Sequence, residues 1–149
     1  DNVHCFFVEP THAPCMLVGM ATGLHNEISV RDLGIDGITH ADGLAVGRPS
    51  KLVGKMMDYL LGGVITIDDY KLYDYMRNLH ETENIDIEPS ACAAFEGFVK
   101  FETTDEGKEY IKRHNLENNM KNAVHIAWAT GGSLVPEEIN KQFLETYLR

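Results

Sequence analysis

The feature that most constrains the fold is the alternation along the chain between short apolar runs and segments with helical spacing of apolar residues. The short runs are rich in β-branched and aromatic residues, which is typical of buried strands; they are residues 3–8, 64–67, 85–87 and 123–129. The helical segments are residues 14–25, 50–61, 68–83, 91–101 and 136–148. Strands that alternate with helices predict an α/β fold with a mostly parallel sheet flanked by helices.

Capping residues and glycines set the expected bounds of these elements. Ser50 is an expected N-cap, and the pair Gly62-Gly63 is expected to end the helix that it starts. The polar stretch 103–119 predicts a surface excursion that contains a short helix, and four glycines mark residues 26–49 as a loop-rich connection. Because no linker divides the chain, residues 1–149 are expected to form a single region.

Composition excludes several classes of partner. The chain has 13 Lys and Arg against 23 Asp and Glu, a net charge of -10, so nucleic acid and an anionic membrane surface are not expected partners. Its apolar stretches fall short of the roughly 18 to 20 residues that cross a bilayer, and no signal peptide is visible. Cys5, Cys15 and Cys92 are an odd, sparse set that suggests free thiols and a cytoplasmic location.

Common cofactor and metal motifs are incomplete in this sequence. Cys5, His12 and Cys15 include no Cys-x-x-Cys pair, which argues against zinc. The glycines near residues 43–48 have the wrong spacing for a phosphate-binding loop, and Gly-x-Gly-x-x-Gly is missing. Glu9 is a better candidate for a metal ligand than these residues, because a carboxylate beside loop carbonyls suits a monovalent or hard divalent cation.

Polar junctions follow three of the apolar runs. They are Glu9-Pro10-Thr11-His12, Glu88-Pro89-Ser90-Ala91 and Thr130-Gly131-Gly132-Ser133. Ligands of open α/β sheets collect beyond the carboxyl ends of strands, so these junctions are candidate site segments. Taken alone, the residues favour two ordinary strand ends and a tight turn over a ligand site.

Four stretches of the sequence match those of a known family in residue type, order and spacing, and together they extend over almost the whole chain. They are residues 7–16, 41–48, 88–91 and 128–138. They closely resemble the bacterial D-serine dehydratases, which are ammonia-lyases of the tryptophan-synthase-β type (fold type II) of pyridoxal-phosphate enzymes. The resemblance implies an α/β fold, conversion of D-serine to pyruvate and ammonia, pyridoxal phosphate as cofactor, and a monovalent cation, expected to be potassium. Ser133 departs from the pattern, since a third glycine is common there.

The resemblance also implies roles for individual residues. The hydroxyl of Thr130 would hydrogen-bond the pyridine nitrogen of the cofactor, and Gly131 and Gly132 would let the backbone pass close to the ring. A neutral hydroxyl cannot hold that nitrogen protonated as a carboxylate could, so the cofactor would be a milder electron sink. Glu9 and the carbonyl of Ala13 would bind the cation. Four further residues would border the ring or its supporting shell, namely Asp42, Gly43, Leu44 and Glu88.

The chain lacks two motifs that the family needs for catalysis. The lysine that forms the Schiff base and the glycine-rich loop that cradles the cofactor phosphate precede the matched part in the family, and neither occurs here. We therefore expect a carboxy-terminal part of the large cofactor-binding domain, with no catalytic residue of its own, inactive without the missing amino-terminal half. The alternatives are a dehydratase or ammonia-lyase for another amino acid, and a binding or interaction module without catalysis. Uncovered strands at residues 3–8 and 123–129 predict self-association.

Overall fold

A parallel pair of strands forms the sheet of the protein, whose residues 3–148 are described by a computed structural model. Strand β1 is Cys5–Pro10 and strand β2 is Leu61–Ile67. The two strands run parallel, with Phe7 opposite Val64 and Glu9 opposite Thr66. The predicted α/β architecture with parallel strands is confirmed.

Six α-helices lie within residues 3–148, and among them α4 packs against both strands. They are α1 (Cys15–Thr22), α2 (Lys51–Met57), α3 (Asp69–Glu83), α4 (Pro89–Thr103), α5 (Asp105–Arg113) and α6 (Glu137–Glu145). Short 3₁₀ helices occupy His25–Glu27, Val30–Leu33, Asp42–Leu44 and Met120–Asn122. The short helix predicted within residues 103–119 is confirmed as α5, which Thr104 caps by accepting a hydrogen bond from the Gly107 amide at 3.2 Å. Over the described part of the chain, no helix has the length and apolarity that crossing a membrane requires.

The glycine pair Gly62-Gly63 lies in strand β2, so the prediction that it ends a helix is wrong. Ser50 does cap α2, accepting from the Val53 amide at 3.4 Å, but the helix ends at Met57. Gly62 is an extra residue opposite the step from Cys5 to Phe6. A Cβ atom there would lie 2.6 Å from the hydroxyl oxygen of Tyr110. The close approach of this ring explains the glycine in a strand.

Two predicted strands, residues 85–87 and 123–129, are wrong for the structure as described. Neither segment takes part in strand pairing, because β1 and β2 pair only with each other among residues 3–148. Apolar alternation needs a neighbouring strand before it produces a ladder. In the second segment the side chains that should be buried are largely exposed: Val124 at 85%, Ile126 at 80% and Trp128 at 80%.

The core fixes where the site segments lie. One cluster of fully buried side chains joins the end of β2 to α3 through Ile67, Leu72 and Ala41. Complete burial of an Ile or Leu side chain contributes about 1.5–3 kcal/mol. A second cluster, which includes Tyr73, Ile87 and Cys92, joins α3 to α4 and contacts α6. Helices α3 and α4 thus contribute to both clusters, one of which contains Ala41 and the other Ile87.

Candidate functional site

An open cavity of about 900 Å³ brings together the segments that sequence analysis singled out. Its walls come from the 38–42 loop, the start of α4, and the 130–136 loop that precedes α6. Five predicted cofactor-binding residues line it, namely Asp42, Glu88, Thr130, Gly131 and Gly132. Segments distant in sequence thus meet at one place, which the strand and turn pattern alone could not show.

The other predicted residues lie next to this cavity. Gly43 and Leu44, in the same turn as Asp42, line a smaller cavity of about 220 Å³ together with Glu9. Ala13 lines neither cavity and is completely buried. The turn at residues 42–44 therefore separates the larger cavity from the region around Glu9.

The loop at residues 130–132 is packed against the start of α4. The backbone N–H of Glu88 donates to the carbonyl oxygen of Gly131 at 3.3 Å. A Cβ atom at Gly131 would lie 2.5 Å from Glu88 Oε1, and one at Gly132 would lie 2.5 Å from Ile87 Cα. Gly132 also has a φ of 132°, in the region that favours glycine. Close contact with residues 87 and 88 therefore accounts for both glycines in this structure.

Thr130 lies at the surface of the large cavity. Its side chain is exposed, and within residues 3–148 no protein group accepts from or donates to its hydroxyl. A hydroxyl carries one donor and two acceptor positions. Thr130 is therefore available to a ligand in the cavity rather than committed to the fold.

The turn that contains Asp42 is fixed by hydrogen bonds to α4. The Gly43 amide donates to Asp42 Oδ1 at 2.7 Å and to Ser90 Oγ at 3.0 Å. Ser90 is 8% exposed and its hydroxyl lies 3.4 Å from the same Asp42 oxygen. Ser90 belongs to the predicted Glu88-Pro89-Ser90 junction but was not among the predicted site residues. Its buried hydroxyl connects two of the three site segments.

A second set of contacts supports the same turn from α3. His40 Nδ1 lies 2.8 Å from the hydroxyl of Tyr73, and both residues line the large cavity. Burial raises the pKa of Tyr73, and the charges of Asp69 and Asp42 raise it further. Neither His40 nor Tyr73 was among the predicted site residues, because their hydrogen bond joins segments that are distant in sequence.

Glu9 is a buried carboxylate at the N-terminus of α1. Its oxygens accept from the backbone amides of Met16 at 2.8 Å and Leu17 at 2.9 Å, which matches the preference of helix N-termini for negative charge. Burial raises the pKa of Glu9, although these two N–H groups act to lower it. Burial, followed by the charge of Glu9, raises the pKa of the neighbouring Cys15 thiol to about 12. A cap for α1 is thus one demonstrated role of this carboxylate.

The Ala13 carbonyl, the other expected cation ligand, accepts from the Cys15 amide at 3.0 Å. Within residues 3–148, no group of three or more His, Cys, Asp and Glu side chains is placed to hold a metal ion. A cation at Glu9 would therefore draw on backbone carbonyls, as the sequence analysis expected, and this site stays a prediction.

Comparisons with known proteins assign the chain to a family. The model of the family described as "Pyridoxal-phosphate dependent enzyme" matches residues 1–111. A probable D-serine dehydratase of Fusobacterium nucleatum is 59% identical over 149 residues, which are 100% of this chain and 34% of the relative. A probable D-serine dehydratase of Geobacillus kaustophilus is 52% identical over 149 residues, again 100% of this chain and 33% of the relative. The chain thus spans about a third of the length of these curated relatives.

Solved structures show the same fold. Maize serine racemase superposes with a TM-score of 0.63 at 20% identity, covering 96% of this chain and 38% of that one. A fungal L-serine ammonia-lyase from Rhizomucor miehei superposes with a TM-score of 0.61 at 16% identity, covering 99% of this chain and 42% of that one. The resemblance stated from the sequence is confirmed. This chain belongs to the family of pyridoxal-phosphate dependent enzymes.

Proposed function

We propose that this chain forms the part of a D-serine dehydratase that receives the pyridine ring of pyridoxal phosphate. The proposed overall reaction removes the α-proton and β-hydroxyl of D-serine and, after addition of water, yields pyruvate and ammonia. The observation that carries the proposal is the convergence of residues 42, 88 and 130–132 on one cavity of about 900 Å³. The name shared by relatives at 59% and 52% identity supports the choice of substrate.

The residues of the cavity fit such a cofactor. The exposed hydroxyl of Thr130 can donate to an aromatic ring nitrogen. Gly131 and Gly132 line the cavity with backbone atoms alone. Pyridoxal phosphate, when bound, supplies an electron sink that lowers the cost of removing the α-proton. A neutral hydroxyl partner would leave it a milder sink than a carboxylate partner.

The remaining predicted residues have supporting roles in this proposal. Asp42 and Glu88 would border the ring, and Gly43 and Leu44 would shape the turn behind it. Glu9 and the Ala13 carbonyl would hold a monovalent cation, with potassium as the expected ion. A cation near Glu9 would offset the charge of a carboxylate that is only 8% exposed.

We propose that the chain alone does not catalyse the reaction. Its lysines occur in helical or polar contexts unlike the cofactor-binding lysine segment of the family, and it contains no glycine-rich phosphate loop. Adding pyridoxal phosphate and then borohydride to this chain should give no specific lysine adduct by mass spectrometry. A stoichiometric adduct at one lysine would overturn this part of the proposal.

A chimeric enzyme tests the proposed activity. In it, this chain replaces the 149 matching residues of the Fusobacterium nucleatum relative, so the rest of the relative supplies the remaining polypeptide. We expect pyruvate from D-serine in preference to L-serine, and the corresponding keto acid from D-threonine to form more slowly. The unmodified relative is the control. A chimera that folds and binds pyridoxal phosphate but prefers another amino acid would contradict the substrate assignment.

The exposed apolar side chains of residues 123–129 suggest the partner of this chain. Val124, Ile126 and Trp128 alternate along this segment and are 80% exposed or more. We propose that the polypeptide corresponding to the rest of the relatives covers them in a cytoplasmic enzyme, and that the chain alone associates with itself through them. Sedimentation at rising concentration should show self-association that Ile126→Asn and Trp128→Asn together reduce. A strictly monomeric native chain would contradict it.

A further inference from the structure

One carboxylate ties the residues before the Asp42 turn to helix α3. Asp69, the first residue of α3, accepts from the Thr39 hydroxyl at 2.6 Å and from the His40 amide at 2.7 Å. The Ala41 amide donates in turn to Thr39 Oγ1 at 3.1 Å. The side chain of Asp69 thus bonds Thr39 and His40 directly, and it is linked to Ala41 through the Thr39 hydroxyl.

The neighbouring Asp68 has different contacts. Its carboxylate accepts from the Thr11 hydroxyl at 2.8 Å, at the end of β1. None of its hydrogen bonds within residues 3–148 involves the 39–41 loop. The two adjacent aspartates therefore differ in function within the fold, and Asp68 offers a matched control.

Tyr73 provides a second attachment, one helical turn after Asp69. Its hydroxyl lies 2.8 Å from His40 Nδ1, and Tyr73 is only 4% exposed. Within the described residues the histidine is the only partner of that hydroxyl. This contact therefore ties the His40 side chain to α3.

The helix that carries both attachments is part of the core. Leu72 is completely buried against Ile67 and Ala41. Because packed side chains of this kind do not shift freely, Asp69 and Tyr73 hold fixed positions relative to the sheet. The loop that they hold leads directly into Asp42, Gly43 and Leu44.

We propose that Asp69 is a positioning residue, which fixes the turn at residues 41–44 and so sets one wall of the cofactor cavity. The wall's contact with pyridoxal phosphate rests on the proposed function, whereas the anchoring of the loop does not. The carboxylate offers two acceptors to two donors. An amide at this position could accept from the His40 amide, but its own N–H group would have to donate to Thr39 Oγ1, and the Thr39 hydroxyl would lose its acceptor.

Hydrogen exchange in the full chain tests the anchor without any cofactor. Asp69→Asn and Thr39→Val should each accelerate exchange of the Ala41 and Gly43 amides by about tenfold or more, because the loop opens more easily. Thr39→Ser, which keeps the hydroxyl, and Asp68→Asn should leave these amides within about twofold of native exchange. If Asp69→Asn does not fold, the Gly43 amide in Thr39→Val carries the test, because this substitution removes the direct acceptor of the Ala41 amide but not that of Gly43. Exchange of these amides at the native rate in the variants that fold would contradict the claim that Asp69 anchors the loop.

The chimera described above tests the link to the cofactor. Asp69→Asn and Thr39→Val should raise the dissociation constant for pyridoxal phosphate by about tenfold and change the circular dichroism of the bound cofactor, since one wall is displaced. Thr39→Ser should restore both, and Asp68→Asn should change neither. Faster exchange with unchanged affinity and spectrum would overturn the positioning role. If the chimera with native residues binds no pyridoxal phosphate, the proposed function fails, while hydrogen exchange still decides whether Asp69 anchors the loop.

Discussion

The backbone amide of Glu88 donates to the carbonyl of Gly131 across a gap of 3.3 Å, which joins the start of α4 to the loop before α6. The two residues are far apart in sequence, yet their segments form adjoining walls of one cavity. The contact is possible because neither Gly131 nor Gly132 carries a side chain that would enter the space of residues 87 and 88.

Gly132→Ala should therefore lower the free energy of unfolding more than Gly131→Ala does. A Cβ at Gly132 would lie 2.5 Å from the Cα of Ile87, and the φ of 132° is strained for alanine; we expect a loss of about 1–3 kcal/mol in the free energy of unfolding. At Gly131 the closest atom is the Glu88 carboxylate, at 2.5 Å, which can rotate away. Urea unfolding of both variants checks the order, and a larger loss for Gly131→Ala would contradict it.

Thiol reactivity should separate Cys5 from the other two cysteines. All three are free, but only Cys5 is exposed. Burial raises the pKa of Cys92 to about 12, and burial together with Glu9 does the same for Cys15, so neither forms much thiolate near neutral pH. Iodoacetamide at pH 7.5 should label Cys5 alone, and all three cysteines in urea. Labelling of native Cys15 at the rate of Cys5 would contradict the structure.

The ion pair between His12 and Asp36 should give a pH-dependent contribution to stability. Their side chains lie 2.9 Å apart. The hydrogen bond and charge of Asp36 raise the pKa of His12 above 6.5. The Ile38 amide, followed by His12, lowers the pKa of Asp36 below 3.8.

The sign of the effect follows from these directions. The histidine's contribution is complete below pH 6.5 and is lost as pH rises through its raised pKa, whereas that of Asp36 is lost as pH falls through its lowered pKa. NMR titration of the native chain should place the His12 midpoint above 6.5, and Asp36→Asn should lower it. Equal midpoints in the two proteins would contradict the pairing.

The hydrogen bond from the Tyr75 hydroxyl to the buried carboxylate of Glu96 should contribute to the free energy of unfolding. That hydroxyl donates to Glu96 Oε2 at 2.5 Å, while Lys100 lies 3.7 Å from the other oxygen. Glu96 is 4% exposed, so Tyr75→Phe leaves a buried acceptor unpaired and should cost about 1–3 kcal/mol in unfolding free energy. Tyr70→Phe, at a position 39% exposed, is the control. Equal unfolding free energies for the two variants would show that the buried pair contributes little.

Local patterns predicted the helices and the two strands that pair with each other in the described residues. Helical spacing and the cap at Ser50 anticipated α2, and the Ile67 and Leu72 positions are buried as an α/β core requires. The same reasoning failed at residues 123–129, because apolar alternation describes a strand's faces and cannot supply its neighbour. It failed at Gly62 because packing of the Tyr110 ring overrides the usual preference of glycine for turns.

The candidate site was predictable only in part. Asp42, Glu88 and Thr130 were named from the family resemblance and share one cavity. Ser90, Tyr73 and Asp69 were not, since their importance lies in hydrogen bonds between distant segments. A serine after Glu-Pro and an aspartate at a helix start look like ordinary capping residues in the sequence.

The most direct test of the account is the affinity of the chimeric enzyme for pyridoxal phosphate when Thr130 is changed. Thr130→Val keeps the shape of the side chain and removes its hydroxyl, so we expect the dissociation constant to rise by about tenfold, the effect of one lost hydrogen bond of about 1–1.5 kcal/mol. Thr130→Ser should bind the cofactor as the native residue does. Unchanged affinity in Thr130→Val would contradict the claim that this hydroxyl faces the cofactor ring.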